Sequence, residues 1–464
     1  MGAPGAQALI LAAGKGTRLK SAVPKVLQPV LGLPLLEHVL RAVSGSAPAS
    51  VAVVVGHGAD AIEAAFAGRG LRFVRQDPPL GTGHAVSSAR AALAAGPGAP
   101  LLVVNGDQPL IRPETLRALL EHHRSHGAVA TLLTAVLEDP GPYGRVLRGE
   151  DGFLRRVVEA RDASAELRAV REINAGVYVF ELGPLFQALD RLRPENAQGE
   201  YYLTDALDLL AAAGHRVGGW ACEDADEALG VNTQAELAEA ARRLRERKLA
   251  ALLDAGVRIE DPATTHVEID VEVEAGAVLR PFTVLEGRTR VRSGASVGPY
   301  ARIVDSEVES GAQVLDHCLL RECVVEVGAS VGPFTHIRPK SRVGPRARVG
   351  SFVELKQTQL GEGSKAPHLS YLGDATVGPG VNIGAGTITC NYDGVEKHPT
   401  RIEAGAFVGS DATLVAPITI GEGAYVAAGS AITEDVPPFA LALGRARQVV
   451  KLGWAKTRFP RRKG

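Results

Sequence analysis

Val331-Gly332-Pro333-Phe334-Thr335-His336-Ile337-Arg338-Pro339-Lys340-Ser341-Arg342-Val343 carries an aliphatic residue at every sixth position: Val331, Ile337 and Val343. The beat extends both ways. It runs through Val273, Leu279, Leu285, Val291, Val297 and Ile303, and again through Leu319, Val325, Val331, Ile337, Val343, Val349 and Leu355. A third train follows at Ile402, Val408, Leu414, Ile420, Val426 and Ile432. A helix repeats near 3.6 residues and a half-buried strand near two, so a period of six fits neither and marks a repeat architecture. The architecture it predicts is a parallel β-helix. Each hexad forms a short strand and a turn, three hexads close one triangular coil, and coils stack at the strand spacing of about 4.8 Å. Small residues beside the aliphatic one suit tight corners, as in Val297-Gly298, Val331-Gly332 and Val408-Gly409. The repeat alone leaves its use open among an acyl-transfer scaffold, an oligomerisation module and a plain rod.

At 464 residues the chain is too long for one ordinary domain and should hold two or three. Its first half has aliphatic runs at Ala8–Ala13, Val51–Val55, Leu71–Arg75, Leu101–Val104, Val129–Val136 and Val177–Phe180. Amphipathic stretches lie between them, among them Leu35–Val43, Ala85–Leu93 and Pro113–His123. This βαβα order predicts an α/β domain, a mostly parallel sheet with helices on both faces. Its ligand should bind outside the carboxyl ends of the strands. Gln234–Leu253 is rich in Ala, Leu, Arg and Glu and holds neither Gly nor Pro, so it reads as one long helix joining the halves. The expected domains are residues 1–232, a linker helix over 233–256, and the β-helix with its tail over 257–464.

Charge and cysteine usage exclude several classes. A formal net charge of −1 provides no whole-protein attraction to nucleic acid or an acidic membrane. The cysteines at 222, 318, 323 and 390 form no CxxC pair and read as buried free thiols in a reducing compartment. The apolar run Ala8–Ala13 lacks a basic leader and is too short to span a bilayer. Met1-Gly2 does not open a myristoylation signal, because Ala6 stands where Ser or Thr is required. A soluble cytoplasmic protein without nucleic-acid or stable membrane partners is expected. The final stretch, Val436–Gly464, carries Arg445, Arg447, Lys451, Lys456, Arg458, Arg461, Arg462 and Lys463; its last five residues read as a solvated terminus.

The first strand runs into Leu11-Ala12-Ala13-Gly14-Lys15-Gly16-Thr17-Arg18, with Pro24-Lys25 downstream. A glycine-rich loop after a strand either forms a simple turn or lets backbone N–H groups approach an anion, with Arg18 and Lys25 adding charge against a polyphosphate. It is not a Walker A loop. Asp107 follows the run Leu101–Val104, where sheet ligands bind; it reads either as a cap or turn residue or as a carboxylate holding a hard cation against phosphate oxygens.

These motifs resemble the signature of the sugar-nucleotidyltransferase family. The likeness extends through Pro24-Lys25-Val26-Leu27, Gln76, Leu80–Ala85, Asn105-Gly106-Asp107, Tyr143-Gly144-Arg145, Val158-Glu159, Ile173–Gly176 and Gly230-Val231-Asn232. The resemblance implies a Rossmann-like nucleotidyltransferase domain in which Gly14, Arg18 and Lys25 hold a triphosphate. It implies that the backbone from Leu11 through Ala12 and Ala13 to Gly14 reads the base, with Gln76, Gly81 and Thr82. Gly144, Glu159 and Asn174 would hold an amino sugar, and Asp107 and Asn232 would share Mg²⁺. Attack of a sugar phosphate on the α-phosphorus needs positioning and charge neutralisation rather than a dedicated base. His84 accordingly reads as a packing or local hydrogen-bonding residue.

In the second half the beat is interrupted. Leu355 to Val377 spans 22 residues, four more than three hexads, and the stretch holds Lys356, Lys365, His368 and Tyr371. A second break follows Ile383, where Cys390-Asn391-Tyr392-Asp393-Gly394 reads as a projecting loop. His368 stands among Lys, Ser and Tyr rather than aliphatics, which favours a chemical role over a core one. Acetyl transfer from a thioester to an amine needs a base, and an imidazole with an unperturbed pKa of about 6.5 suits the task. Lys356 and Arg338 would clamp a sugar phosphate.

From Arg338 to Arg445 the chain is similar to the acetyltransferase half of a bacterial family of bifunctional enzymes. These join N-acetylglucosamine-1-phosphate uridyltransferase to glucosamine-1-phosphate acetyltransferase, and the likeness covers nearly the whole chain in the same order. It implies a left-handed β-helix, a homotrimer, and the co-substrates acetyl-CoA and UTP with Mg²⁺. It implies His368 as base. Arg338, Lys356, Tyr371, Asn382 and Asn391 would hold glucosamine 1-phosphate, and Ala385, Asn391, Tyr392, Ser410, Ala428 and Arg445 would serve acetyl-CoA. Two positions depart from the pattern. Lys340 follows Pro339 where glycine is common, and Asn105 precedes Gly106-Asp107 where an aromatic residue is common. A nucleotidyltransferase whose β-helix only oligomerises, and a non-catalytic sugar-nucleotide sensor, are the competing readings.

Overall fold

The computed structural model describes residues 5–93 and 99–459, so Met1, Gly2, Arg461, Arg462 and Lys463 lie outside the described residues. The chain divides into two compact units, Met1–Leu244 and Arg245–Gly464. Among the described residues no helix is long and apolar enough to cross a membrane.

In the first unit the strands of the main sheet are β1 (Gln7–Ala12), β2 (Ser50–Val55), β3 (Arg72–Arg75), β4 (Pro100–Asn105), β5 (Ala130–Val136), β6 (Arg145–Arg148), β7 (Leu154–Val158), β8 (Glu172–Glu181) and β9 (Val217–Ala221). The sheet order is β9-β5-β8-β4-β1-β2-β3, with β6 and β7 attached beside β8. Strand pairs β4/β1, β1/β2, β2/β3 and β9/β5 are parallel, and β8 runs antiparallel to both its neighbours. Successive side chains point to opposite faces, and both faces are covered. Ile10, Val53, Leu102 and Leu116 therefore fill one core, while Leu9, Val54, Leu101 and Phe180 fill the other.

The helices α1 (Leu35–Gly45) and α3 (Pro113–His126) lie where the apolar periodicity places them. Pro113 opens α3 at a position whose N–H would be unpaired anyway, and Gly127 closes it at φ 59°. The expected helix over Ala85–Leu93 is instead two pieces, α2 (Thr82–Ser88) and a short turn at Arg90–Leu93. The long helix α4 covers Gln234–Asp254. Its Ala240 and Leu244 pack into the first unit, and its Leu249 and Leu252 into the core of the second.

The second unit is a prism of three all-parallel sheets of 11, 10 and 9 strands, in which each short strand pairs with the third one after it until the last coil, where Tyr425–Val426 pairs with Leu441–Ala442, the second one after it. Val297, Val314, Val331 and Val349 thus form one inward column. The inward residues are fully buried.

Two details of the repeat differ from the sequence reading. Leu320, not Leu319, is the inward residue of the strand Leu319–Arg321. No interruption lies between Leu355 and Val377, because Leu360, Ala366 and Leu372 occupy the inward places between them. The 22 residues cover one coil and the first step of the next, two of the four steps being five residues long. The cause is local. In the five-residue steps the left-handed corner residue, Asp305, Glu322, Gln357 or Asp374 at φ of 44–50°, stands two residues after the inward one, whereas the six-residue steps place it three after. The alanine at 366 hid the beat, since a methyl group fills the same place as the longer side chains. After Ile383, Thr389 takes the inward place, and there the expected loop does leave the prism, with Tyr392 bridged to Lys397, before the chain re-enters at Ile402. Of the buried hydroxyls at the corners, Thr335 donates to Gly350 O at 2.7 Å and Thr358 to Leu372 O at 2.8 Å, whereas those of Thr400 and Ser430 have no partner among the described residues.

One edge of the prism carries an exposed ladder. Phe282, Tyr300, His317, Phe334 and Phe352 stack with ring centroids 4.6–5.2 Å apart and planes within 9° of parallel. Each has a φ of 54–59°, and Leu369 continues the column at 43°.

The revised register makes a test. Leu320→Ala should destabilise the prism by about 2–5 kcal/mol, whereas Leu319→Ala, half-buried on the outer face, should cost under about 1 kcal/mol. Thermal unfolding followed by circular dichroism separates the two; equal losses would contradict the register.

Candidate active sites

The first site is a cleft of about 520 Å³. Leu11, Ala12, Ala13, Gly14, Arg18, Lys25, Gln76, Gly81, Thr82, Asp107 and Asn232 all line it. Lys15, Thr17, Pro79, Asn105 and Glu200 line it too and had no assigned role. The loop folds as it does because Gly16 sits at φ 61°, and a Cβ there would stand 2.7 Å from Lys25 Cβ. Gly81, at φ 108°, passes so close to the Tyr201 carbonyl that a Cβ would lie 2.6 Å from its oxygen.

Asp107 is carried by β4. Leu11 pairs with Asn105, and Gly106 N donates to Leu11 O at 2.9 Å. Asn232 comes to it because Val231 N donates to Asp107 O at 2.9 Å. A capping box at the head of α4 fixes this segment. Glu236 accepts from Asn232 N at 2.7 Å and Thr233 N at 2.8 Å, while Glu236 N donates to Thr233 Oγ1 at 3.2 Å. The Thr233-x-x-Glu236 spacing was legible in the sequence as a helix start and went unread. Lys25 forms an ion pair with Asp107 and donates to Asn232 Oδ1 at 2.7 Å; Arg18 donates to the same oxygen at 2.9 Å. The carboxylate of Asp107 and the carbonyl oxygen of Asn232 are hard donors already facing positive charge, so the pair fits a cation such as Mg²⁺. Gln76 donates to Gly81 O at 2.9 Å and bonds His84 Nδ1 at 3.1 Å, which gives His84 its local role.

Gly144, Glu159 and Asn174 do not line this cleft and gather beside one another. Asn174 N donates to Gly144 O at 2.8 Å, and Asn174 Nδ2 to Tyr178 Oη at 2.9 Å. A Cβ on Gly144 would lie 3.4 Å from the Glu159 carboxylate. Burial pushes Glu159 above the usual carboxylate range, against the hydrogen bond from Thr204. Nearby Asp208 is pushed up to about 7 by burial, although Val157 N donates to it at 3.0 Å.

In the second unit, His368 ends the strand Lys365–His368 and is exposed. It stands two residues after the inward Ala366, as Ala385, Ser410 and Ala428 stand after Ile383, Val408 and Val426. These four therefore stack along one edge. Asp411 N donates to Ala385 O at 2.7 Å, Gly429 N to Ser410 O at 2.8 Å, and Arg445 NH1 to Ala428 O at 2.8 Å. Tyr392 lies in the projecting loop, its hydroxyl donating to Gly394 O at 2.6 Å.

The sugar-phosphate candidates lie mainly on the next sheet. Lys356 Nζ is 3.8 Å from Asp374, and Asn391 donates to the same carboxylate. Gly373 leaves room for both Tyr371 and Asn391, since a Cβ would stand 2.5 Å and 2.7 Å from their polar atoms. Arg338 pairs with Glu354 at 2.9 Å, and Asn382 pairs in register with Lys365 on the sheet of His368. Asp374 and Lys397 belong to this cluster and were missed; the loop lysine is pushed down by Lys356 beside it. The departure at Lys340 has a backbone explanation. Its φ is 65°, the left-handed region that glycine enters without cost. Asn105 fills the space under Gly176, where a Cβ would meet its amide at 2.3 Å.

Two sites of this kind, a glycine-loop cleft on a mostly parallel sheet and a polar edge on a hexad prism, define a nucleotidyltransferase joined to a hexapeptide-repeat transferase. Residues 8–194 match the model of the MobA-like NTP transferase domain, and residues 399–434 that of the hexapeptide repeat of succinyl-transferase. The chain is 46% identical to bifunctional protein GlmU of Brevibacillus brevis, over 98% of each chain. It is 47% identical to that of Koribacter versatilis over 96% of each, and 47% identical to that of Thermotoga petrophila over 97% of this chain and 98% of the relative. The chain belongs to the bifunctional GlmU family.

The Asp208 carboxyl provides a pH test of the first unit. Its native form keeps a proton that the unfolded chain releases above about pH 4, so stability falls as pH rises toward the raised native value. The melting temperature of Asp208→Asn should exceed that of the natural chain by a margin that widens from about pH 4 to about pH 7 and then stays level. A constant margin would contradict the buried, proton-holding carboxyl.

Proposed function

We infer that the chain makes UDP-N-acetylglucosamine in two steps at two independent sites. On the prism, His368 takes a proton from the ammonium of glucosamine 1-phosphate, and the freed amine attacks the thioester carbonyl of acetyl-CoA, releasing the thiol. Arg338, Lys356 and Tyr371, with Asn382 and Asn391, hold the sugar phosphate. Ala385, Ser410 and Ala428, with Tyr392 and Arg445, present a small-residue track along which the extended coenzyme lies. In the cleft, the phosphate oxygen of N-acetylglucosamine 1-phosphate attacks the α-phosphorus of UTP and pyrophosphate leaves. Arg18 and Lys25 neutralise phosphate charge, Leu11–Gly14, Gln76, Gly81 and Thr82 seat the nucleotide, and Gly144, Glu159 and Asn174 seat the sugar. Asp107 and Asn232 would hold Mg²⁺, which supplies further charge neutralisation at the phosphates.

The observation that carries this reading is the stack of His368, Ala385, Ser410 and Ala428 on one edge: an exposed imidazole heading a track of small residues has no use in a stack that only oligomerises. UTP and acetyl-CoA are intracellular, which supports a cytoplasmic site of action. With both substrates, acetyl-CoA and a divalent cation supplied, free thiol and pyrophosphate are followed separately. His368→Ala should lower thiol release by roughly 10²–10⁴-fold and leave uridylyl transfer to supplied N-acetylglucosamine 1-phosphate intact. Asp107→Ala should do the reverse. Loss of both activities in a folded His368→Ala protein would contradict two independent sites.

A homotrimer is part of the reading. The exposed aromatic ladder, from Phe282 to Phe352, is an apolar edge of the kind a second copy covers. Phe334→Glu with Phe352→Glu should shift the mass measured by light scattering from three chains toward one. An unchanged mass in the folded variant would remove the ladder from the interface.

A further inference from the structure

The two oxygens assigned to the divalent cation are already engaged. Lys25 Nζ pairs with Asp107 and donates to Asn232 Oδ1 at 2.7 Å, and Arg18 donates to that same oxygen at 2.9 Å. This is not a loose surface contact, since the Lys25 side chain is only 11% exposed and that of Asp107 20%. A dication arriving alone would meet one carboxylate that an ammonium already neutralises, with a guanidinium beside it. To bind, it would have to evict Lys25 and leave that ammonium shielded from water without a partner, the costly way to break such a pair. A nucleoside triphosphate changes the balance. Its phosphate oxygens offer Lys25 and Arg18 new anionic partners in the same cleft, and the Asp107 carboxylate is released.

We propose that Lys25 is a resident cation that keeps the metal position closed, and that a nucleoside triphosphate opens it by drawing the ammonium away. The proposal rests on the assignment of Asp107 and Asn232 as the metal-holding pair. It makes the order of events a property of the chain: the metal enters with the nucleotide or after it, and an empty cleft resists metal. The coupling is reciprocal, so metal in turn tightens the hold on nucleotide.

The test uses Mn²⁺ with the full-length chain and no nucleotide, its free concentration read by electron paramagnetic resonance. Lys25→Met keeps the length of the side chain and removes the charge; Lys25→Gln is a second neutral variant should the first fail to fold. Each should bind Mn²⁺ at least tenfold tighter than the natural chain, and adding Asp107→Asn should abolish the gain. Equal affinity of the natural and Lys25 variants, both weakened by Asp107→Asn, would overturn the resident-cation role while leaving the metal assignment in place. A gain that survives Asp107→Asn would overturn that assignment and the proposal together.

Discussion

The interior of a triangular coil admits one side chain from each face, and everything in the second unit follows from that limit. Successive coils must bring their inward residues into register, so the columns Val297, Val314, Val331 and Val349, and Ile303, Leu320, Ile337 and Leu355, have no freedom to slip. A one-residue shift would expose a whole column and bury its polar neighbours. Register held this firmly lets residues far apart in sequence share an edge: His368, Ala385, Ser410 and Ala428 are neighbours because Ala366, Ile383, Val408 and Val426 are.

Most of this was legible in the sequence, and the errors have physical reasons. The period exposed the prism because burial selects aliphatic residues at inward places. It misplaced Leu319 for Leu320 because both are leucine and only the five-residue corner, turned by Glu322 in the left-handed region, tells them apart. It read an interruption around His368 because Ala366 and the five-residue steps at Gln357 and Asp374 broke the count without breaking the coil. The polar residues there stand on a regular coil. Only the segment after Cys390 leaves the prism. In the first unit, the glycine loop, Asp107 with Asn232, and Gln76, Gly81 and Thr82 share one cleft, as their common motifs led one to expect; Asp374, Lys397 and Glu200 carry no motif and become visible only through their neighbours.

The two sites share one electrostatic arrangement. In the cleft, Lys15, Arg18 and Lys25 outnumber Asp107 and Glu200, and Asp107 is paired with Lys25. Its capping-box neighbour Glu236 is occupied with backbone N–H groups and leaves Asn232 as the second oxygen. On the prism, Asp374 has the corresponding place. It lies between Lys356 and Asn391, with Lys397 close enough to Lys356 for the two ammoniums to repel. A phosphate arriving there would find two lysines and only one carboxylate.

The exposed edge links assembly to chemistry. Leu369 ends the ladder of Phe282, Tyr300, His317, Phe334 and Phe352, and it is the residue immediately after His368. Phe352 and Leu369 are 62% and 64% exposed, a large apolar area to leave in water. Holding five rings and a leucine in left-handed backbone costs free energy at each step, of order 1 kcal/mol, and ring stacking offsets part of it. A surface that only needed to be soluble would place glycine or asparagine at these corners, as the same column does at Gly386 and Gly429 beyond the ladder. A second copy covering the ladder, as proposed, would also wall the imidazole of His368 on one side and reduce its contact with water, which is the setting the proposed general base would need.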